Sequence, residues 1–117
     1  KKGLLAEALV MARGIEDVHW KASALNEIAA AQAKAGLADH ARPIFAEALT
    51  AAYGIEDGYW REIVLSEIAT RQMRAGFLAE ALTTARSIGN ASEKARALCE
   101  IAAAKAKEAK KKAEKNK

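Results

Sequence analysis

The sequence predicts an all-α fold, a solenoid of stacked helix-turn-helix repeats with about six helices. Three observations predict it. One stretch recurs: Leu25 to Gly36 reads LNEIAAAQAKAG, Leu65 to Gly76 reads LSEIATRQMRAG, and Leu98 to Ala109 reads LCEIAAAKAKEA. A chain that repeats one unit is built by stacking that unit. Within each copy the apolar residues fall at helical spacing, as at Leu25, Ile28 and Ala29, with Gln32 continuing the face. The composition agrees: 51% of residues are hydrophobic, alanine dominates them, and there is one proline. Alanine loses no side-chain entropy in a helix and lets neighbouring helices approach closely.

Taken in order, the chain opens on a helix over 4–13. Its Leu5, Ala8, Leu9 and Ile15 recur forty residues on as Phe45, Ala48, Leu49 and Ile55, then thirty-three residues on as Leu78, Ala81, Leu82 and Ile88. This is the second-type helix of a unit, and its own first-type helix is not in the chain. A first-type helix follows over 18–35, with Asp17 as N-cap. Ala35-Gly36 ends it, because glycine suits the left-handed turn after a helix. The next second-type helix spans 38–53. The seven extra residues of this unit lie around LADHARP, so Pro43 belongs near the first turn or kinks the helix.

The second full unit repeats the pattern over 58–75 and 78–86, with Asp57 as N-cap and Ala75-Gly76 as the turn. The last first-type helix, 91–112, starts at Asn90, which has capping-box spacing to Glu93. It then runs on into KEAKKKAEKNK instead of turning back. Residues 1–117 thus form one repeat domain: a partial unit 3–17, full units 18–57 and 58–90, and a terminal helix with a lysine-rich tail, 91–117. Such a tail solvates the end of an array, as a truncated or engineered repeat requires. The predicted core is one ridge of Leu25, Ile28, Phe45, Leu49, Leu65, Ile68, Leu82, Leu98 and Ile101.

These units resemble the tetratricopeptide repeat. Ala41, Phe45 and Ala48 stand where that family carries Ala, Phe and Ala in its second helix. Leu25, Ile28 and Ala29 stand where it carries a large residue, Leu and Gly in its first. The match is partial: Gln32 and Gln72 replace the family's aromatic, and the closing proline is absent. The resemblance implies a right-handed superhelix with a concave groove lined by the first helices. It places Asn26, Ser66, Thr70 and Met73 in that groove, with Ser23 and Ile63, and Lys34, Arg74 and Lys107 in a column near its edge.

Catalysis and cofactors find no support in the sequence. His19 and His40 have no partner at metal-ligand spacing. The glycines occur singly at turns, which excludes a phosphate-binding loop. Cys99 has no nearby orienting histidine and reads as a small, partly buried residue. The expectation is therefore a non-enzyme without metal or cofactor. Trp20 and Trp60 are equivalent, with His19 and Tyr59 beside them, and read as wedges between successive units rather than as a partner patch.

The net charge of +4 belongs to the tail: the last thirteen residues hold seven lysines and two glutamates, leaving twelve basic and thirteen acidic side chains elsewhere. A near-neutral body argues against nucleic acid as the partner of the fold. No stretch is long and apolar enough for a membrane span, and the opening, interrupted by Glu7, does not read as a signal peptide. A single cysteine fits a reducing, cytoplasmic setting.

The function expected is a protein-interaction module or scaffold. The column Lys34, Arg74, Lys107 suits an acidic peptide or a C-terminal carboxylate, although cations near helix C-termini also answer the helix dipole, worth roughly 0.3–1 kcal/mol each. One alternative is a structural or engineered repeat that self-assembles through its ends, the uncovered N-terminal helix favouring a homo-oligomer. A second is an RNA-binding helical repeat, which needs base-reading polar side chains at fixed positions. The sequence lacks them.

Overall fold

The computed structural model describes residues 2–116. Lys1, at the start of the predicted domain, and Lys117, in the lysine tail, lie outside the described residues. Among the described residues there are six helices: α1 (Lys2–Arg13), α2 (Val18–Lys34), α3 (Ala38–Tyr53), α4 (Gly58–Arg74), α5 (Leu78–Arg86) and α6 (Ala91–Lys115). The fold is all-α. Every predicted boundary falls within three residues of the observed one.

The starts of α2, α4 and α6 are set by side-chain caps. Asp17 Oδ1 accepts from the Trp20 amide at 3.1 Å, Asp57 Oδ1 from Trp60 at 3.2 Å, and Asn90 Oδ1 from Glu93 at 2.9 Å. Each satisfies an amide that the helix itself leaves free. The predicted capping box at Asn90 is only half made. The Asn90 amide donates to Glu62 of α4 at 2.6 Å, while the Glu93 carboxylate takes Arg96 instead. A neighbouring helix thus supplies the acceptor that the box would have supplied.

The turns after α2 and α4 are also alike. Gly36 and Gly76 have φ of 82° and 88°, where a side chain would be strained. The Leu37 amide reaches the Gln32 carbonyl and the Gly36 amide that of Ala33; Phe77 and Gly76 do the same with Gln72 and Met73. These paired bonds satisfy the last carbonyls of each helix. Pro43 is the sixth residue of α3, beyond its first turn, and it removes an amide that would have bonded the carbonyl of Asp39. Asp39 and Pro43 are both exposed, so that carbonyl is open to solvent.

Packing alternates between helix types. The close backbone packing of α1, α3 and α5 is against first-type helices: α1 packs on α2, α3 on α2 and α4, and α5 on α4 and α6. Helices α1, α3 and α5 touch one another through the Arg13–Glu47 and Arg42–Glu80 pairs. The first-type helices also meet in series, α2 with α4 and α4 with α6. The outcome is a slab of 51 × 38 × 13 Å with a radius of gyration of 14.9 Å, against about 13 Å for a globule of this length. Two helix layers about 10 Å apart account for the thin dimension.

The core follows the interfaces. Leu25, Ile28, Phe45, Leu65, Ile68 and Ile101 are buried as predicted, joined by Ile44, Ile55, Val64, Phe77 and Ile88. Leu49, Leu82 and Leu98 are only half-buried, Leu49 and Leu98 packed on the rim of that core. Alanines at the contacts, including Ala22, Ala29, Ala41, Ala48, Ala52, Ala81 and Ala85, are almost wholly buried, which lets the helices close on one another. Phe45 and Phe77 meet edge to face at 5.9 Å, tying α3 to the turn before α5. Arg42 lies 4.5 Å from the Phe77 ring and pairs with Glu80 at 2.8 Å.

Two readings are corrected. Cys99 is exposed, not partly buried. It follows Leu98 on α6, and no helix packs on that side. Trp20 and Trp60 are not buried wedges: 64% and 47% of their surfaces remain open. Their positions, in the first turns of α2 and α4, lie at the edge of the slab and outside the helix–helix seams. No described helix is long and apolar enough to cross a membrane.

Candidate ligand groove

The face where α2, α4 and α6 run side by side carries a groove of about 600 Å³. Its lining repeats with the units. Along α2 the residues Trp20, Glu27 and Lys34 are each seven apart, as are Trp60, Glu67 and Arg74 along α4, and Glu93, Glu100 and Lys107 along α6. Seven residues is about two turns, or about 10.5 Å of helix. On α2 and α4 the repeat therefore lays three bands, aromatic, then carboxylate, then basic. Helix α6 has Glu93 at the aromatic place, continues the carboxylate band with Glu100, and carries Lys107 outside the groove.

The aromatic band forms one rim. The His19 ring stands between the two tryptophans, edge to face with Trp20 at 5.2 Å and with Trp60 at 5.4 Å. Tyr59 extends the row, 5.3 Å from Trp60. So the tryptophans do meet across the units, through His19, but on an exposed rim.

The middle band is Glu27, Glu67 and Glu100, one per helix, all lining the groove. Among the described residues none of the three is in an ion pair. Below them, between α2 and α4, is Asn26. It is 4% exposed, and its Oδ1 has no hydrogen-bond partner. An unpaired buried acceptor costs about 1–3 kcal/mol, and this one is closed off from the groove, with less than 1 Å² of the oxygen exposed. Ser66 takes the same place in α4, and Thr70, one turn on, spends its hydroxyl on the Ser66 carbonyl at 3.0 Å.

The basic end of the groove is Arg71 and Arg74, neither of which is in an ion pair among the described residues. Lys34 joins them in an adjoining hollow of about 430 Å³. Arg96 enters from α6 but is held by Glu93 at 2.6 Å.

Of the predicted site residues, Asn26, Ser66, Thr70 and Arg74 come together in the groove, with Ser23 and Ile63. Lys34 lies in the adjoining hollow. Met73 packs partly buried against the core. Lys107 is exposed on α6 and lines neither cavity. Lys34 and Arg74 close the last turns of α2 and α4, where the dipole favours a cation. Lys107 lies eight residues before the end of α6, too far for that effect.

Sequence reasoning missed the carboxylate band. Its signal was present, since Glu27, Glu67 and Glu100 hold the third place of LNE, LSE and LCE. Among the described residues no cluster of three or more His, Cys, Asp or Glu is arranged to hold a metal. Comparison with protein-family models, with curated proteins and with solved structures found no match.

Proposed function

We propose that the chain is a non-catalytic protein-interaction module, a right-handed solenoid of tetratricopeptide-like units that binds an extended peptide in the α2–α4–α6 groove. The observation that carries this reading is the unspent chemistry of the groove. Three carboxylates and two arginines there are in no ion pair among the described residues, and two tryptophans stand open on the rim. The series of contacts α2 to α4 to α6 supports the solenoid.

The bands select the peptide. Lying along the helices, it places an apolar or cationic residue against Trp20 and Trp60, where a cation gains from the ring faces. A basic residue follows over Glu27 and Glu67, and an acidic residue or chain end over Arg71 and Arg74. A peptide of mixed charge thus replaces the acidic peptide that the cation column alone suggested. Single-stranded RNA is a poorer occupant, because three carboxylates face the path of its phosphates.

The test is a peptide array of graded charge read by fluorescence anisotropy, with Glu67→Gln and Arg74→Gln. The first variant should weaken peptides with a central basic residue at unchanged thermal stability. The second should weaken those with an acidic end, with only the small loss of stability that follows from removing a cation at the end of α4. Absence of any binding tighter than about 1 mM across the array would end the proposal.

A further inference from the structure

The basic end of the groove opens into the hollow of about 430 Å³, where the charges are all of one sign. Lys34 of α2 and Arg71 and Arg74 of α4 line it, over a floor of Ala30, Ala33 and Ala75. Among the described residues no carboxylate lines it, and none of the three cations is in an ion pair. Arg71 and Arg74, three apart on α4, face the same side and repel. Glu67 stands four residues before Arg71, at the spacing of a helical ion pair, yet that pair is not made.

Two of the cations have a structural reason. Lys34 and Arg74 are equivalent in the repeat and close α2 and α4, at the negative ends of the helix dipoles. Arg71 has no such equivalent. Its place in α2 is Ala31 and in α6 Ala104, so the same helix is built twice without a cation there. Arg71 is also half-buried, and it lines both the groove and the hollow. Its guanidinium gives up part of its water and gains no ion pair in return. A residue that breaks the repeat is not explained by packing that the repeat already supplies.

We propose that the hollow is a phosphate subsite, in which a phosphorylated side chain of the bound peptide places its phosphoryl group among Lys34, Arg71 and Arg74; this rests on the reading of the groove as a peptide site. A carboxylate brings one charge and two oxygens to three cations. A phosphoryl group brings nearly two charges and three acceptor oxygens. Each guanidinium fork can give it two parallel N–H bonds, and Lys34 adds a point charge from the facing helix. The alanine floor leaves the space that the group fills. The helix ends beside the hollow offer few free carbonyls to repel it, because those of Gln32, Ala33, Gln72 and Met73 already accept backbone amides. The carboxylate band limits the ligand to one phosphate. Glu27 and Glu67 face whatever lies next along the groove, so a run of phosphates, as in a nucleic acid, meets like charge.

The probe is a labelled peptide with lysine three residues from phosphoserine, made in both orders, because the two bands lie about 10.5 Å apart, or about three extended residues. Its twins carry serine or glutamate in place of phosphoserine. In fluorescence anisotropy the phosphoserine peptide should bind at least about tenfold tighter than the serine twin, with glutamate between them. Arg71→Ala installs the residue that α2 and α6 already have, so melting should stay close to that of the parent while most of the preference is lost. Arg71→Lys keeps the charge without the fork and should recover only part of it. Equal binding of the phosphoserine and serine peptides overturns the subsite and leaves the peptide groove standing. Binding of neither overturns the subsite, and a silent array of mixed-charge peptides would end the groove with it. The subsite is also overturned by a preference that survives Arg71→Ala, by inorganic phosphate displacing the peptide below about 1 mM, which would mark a site for the free ion, or by single-stranded oligouridylate binding tighter than the phosphopeptide.

Discussion

The two full units share a backbone plan and differ in how their buried polar groups are paired. In the α4–α5 unit, Gln72 is 2% exposed and its Oε1 accepts from the Thr84 hydroxyl at 2.7 Å. In the α2–α3 unit the equivalent Gln32 is also buried, but the residue opposite is Ala51, and Gln32 Oε1 has no partner. Asn26 and Ser66 repeat the contrast on the groove side, where the longer side chain leaves an orphaned oxygen. The first unit gains elsewhere: α3 is seven residues longer than α5 and buries Ala41 and Ile44 in its added turns. A repeat thus preserves helix packing and lets polar pairing drift, since a lost hydrogen bond costs less than a lost seam.

The largest break in this comparison is Leu65→Ala. Leu65 is 1% exposed at the centre of the second unit, and such truncations cost about 2–5 kcal/mol. The equivalent Leu98→Ala, on half-buried α6, should cost distinctly less in the same denaturant titration. Equal losses would mean that α6 is packed as tightly as α4. Next comes Thr84→Ala, which makes the second unit resemble the first by orphaning Gln72; a loss of about 1–3 kcal/mol is expected. An unchanged unfolding midpoint would show that the buried bond contributes nothing. The converse, Ala51→Thr, gives Gln32 a donor and should stabilise by up to about 1 kcal/mol, less the lower helix propensity of threonine. Destabilisation would mean that α2 and α3 sit too close to admit the two added atoms.

Helix limits and caps were legible because they depend on local residues: Asp17, Asp57 and Asn90 before the helices, Gly36 and Gly76 after two of them. The repeat offset showed which residues are equivalent. It could not show which way a shared position faces. Trp20 and Trp60 are equivalent, and that fits a buried wedge as well as an exposed rim; only their place in the first turns, beyond the seams, decides. Lys34, Arg74 and Lys107 likewise share a register position, yet α6 continues past the point where α2 and α4 turn, so the third cation falls outside the groove. Glu27, Glu67 and Glu100 were as visible as that cation column. Each carboxylate alone resembled an ordinary solvated residue, and only the side-by-side packing of α2, α4 and α6 makes them a band.

The smallest expected effect concerns how the partial unit is tied to the first full one. Arg13 of α1 grips Glu47 of α3 with two bonds, Nε to Oε1 at 2.9 Å and Nη2 to Oε2 at 2.7 Å. One unit on, Arg42 and Glu80 make a single contact at 2.8 Å. The hydrogen bonds from Arg13 hold the Glu47 carboxyl below its ordinary pKa, against a smaller opposing effect of burial. A carboxylate whose pKa is lowered on folding stabilises the fold above its unfolded pKa, and that contribution fades as pH falls through the folded value. Glu47→Gln should therefore melt slightly below the parent at neutral pH, and the gap should close only as pH falls below the ordinary carboxylate range. Molar salt should narrow the gap too, because both side chains are well exposed. Glu80→Gln, with one contact to lose, serves as the comparison. A gap for Glu47→Gln that persists unchanged into acid would mean that Glu47 acts through packing and that the Arg13 pair does not bind α1 to the array.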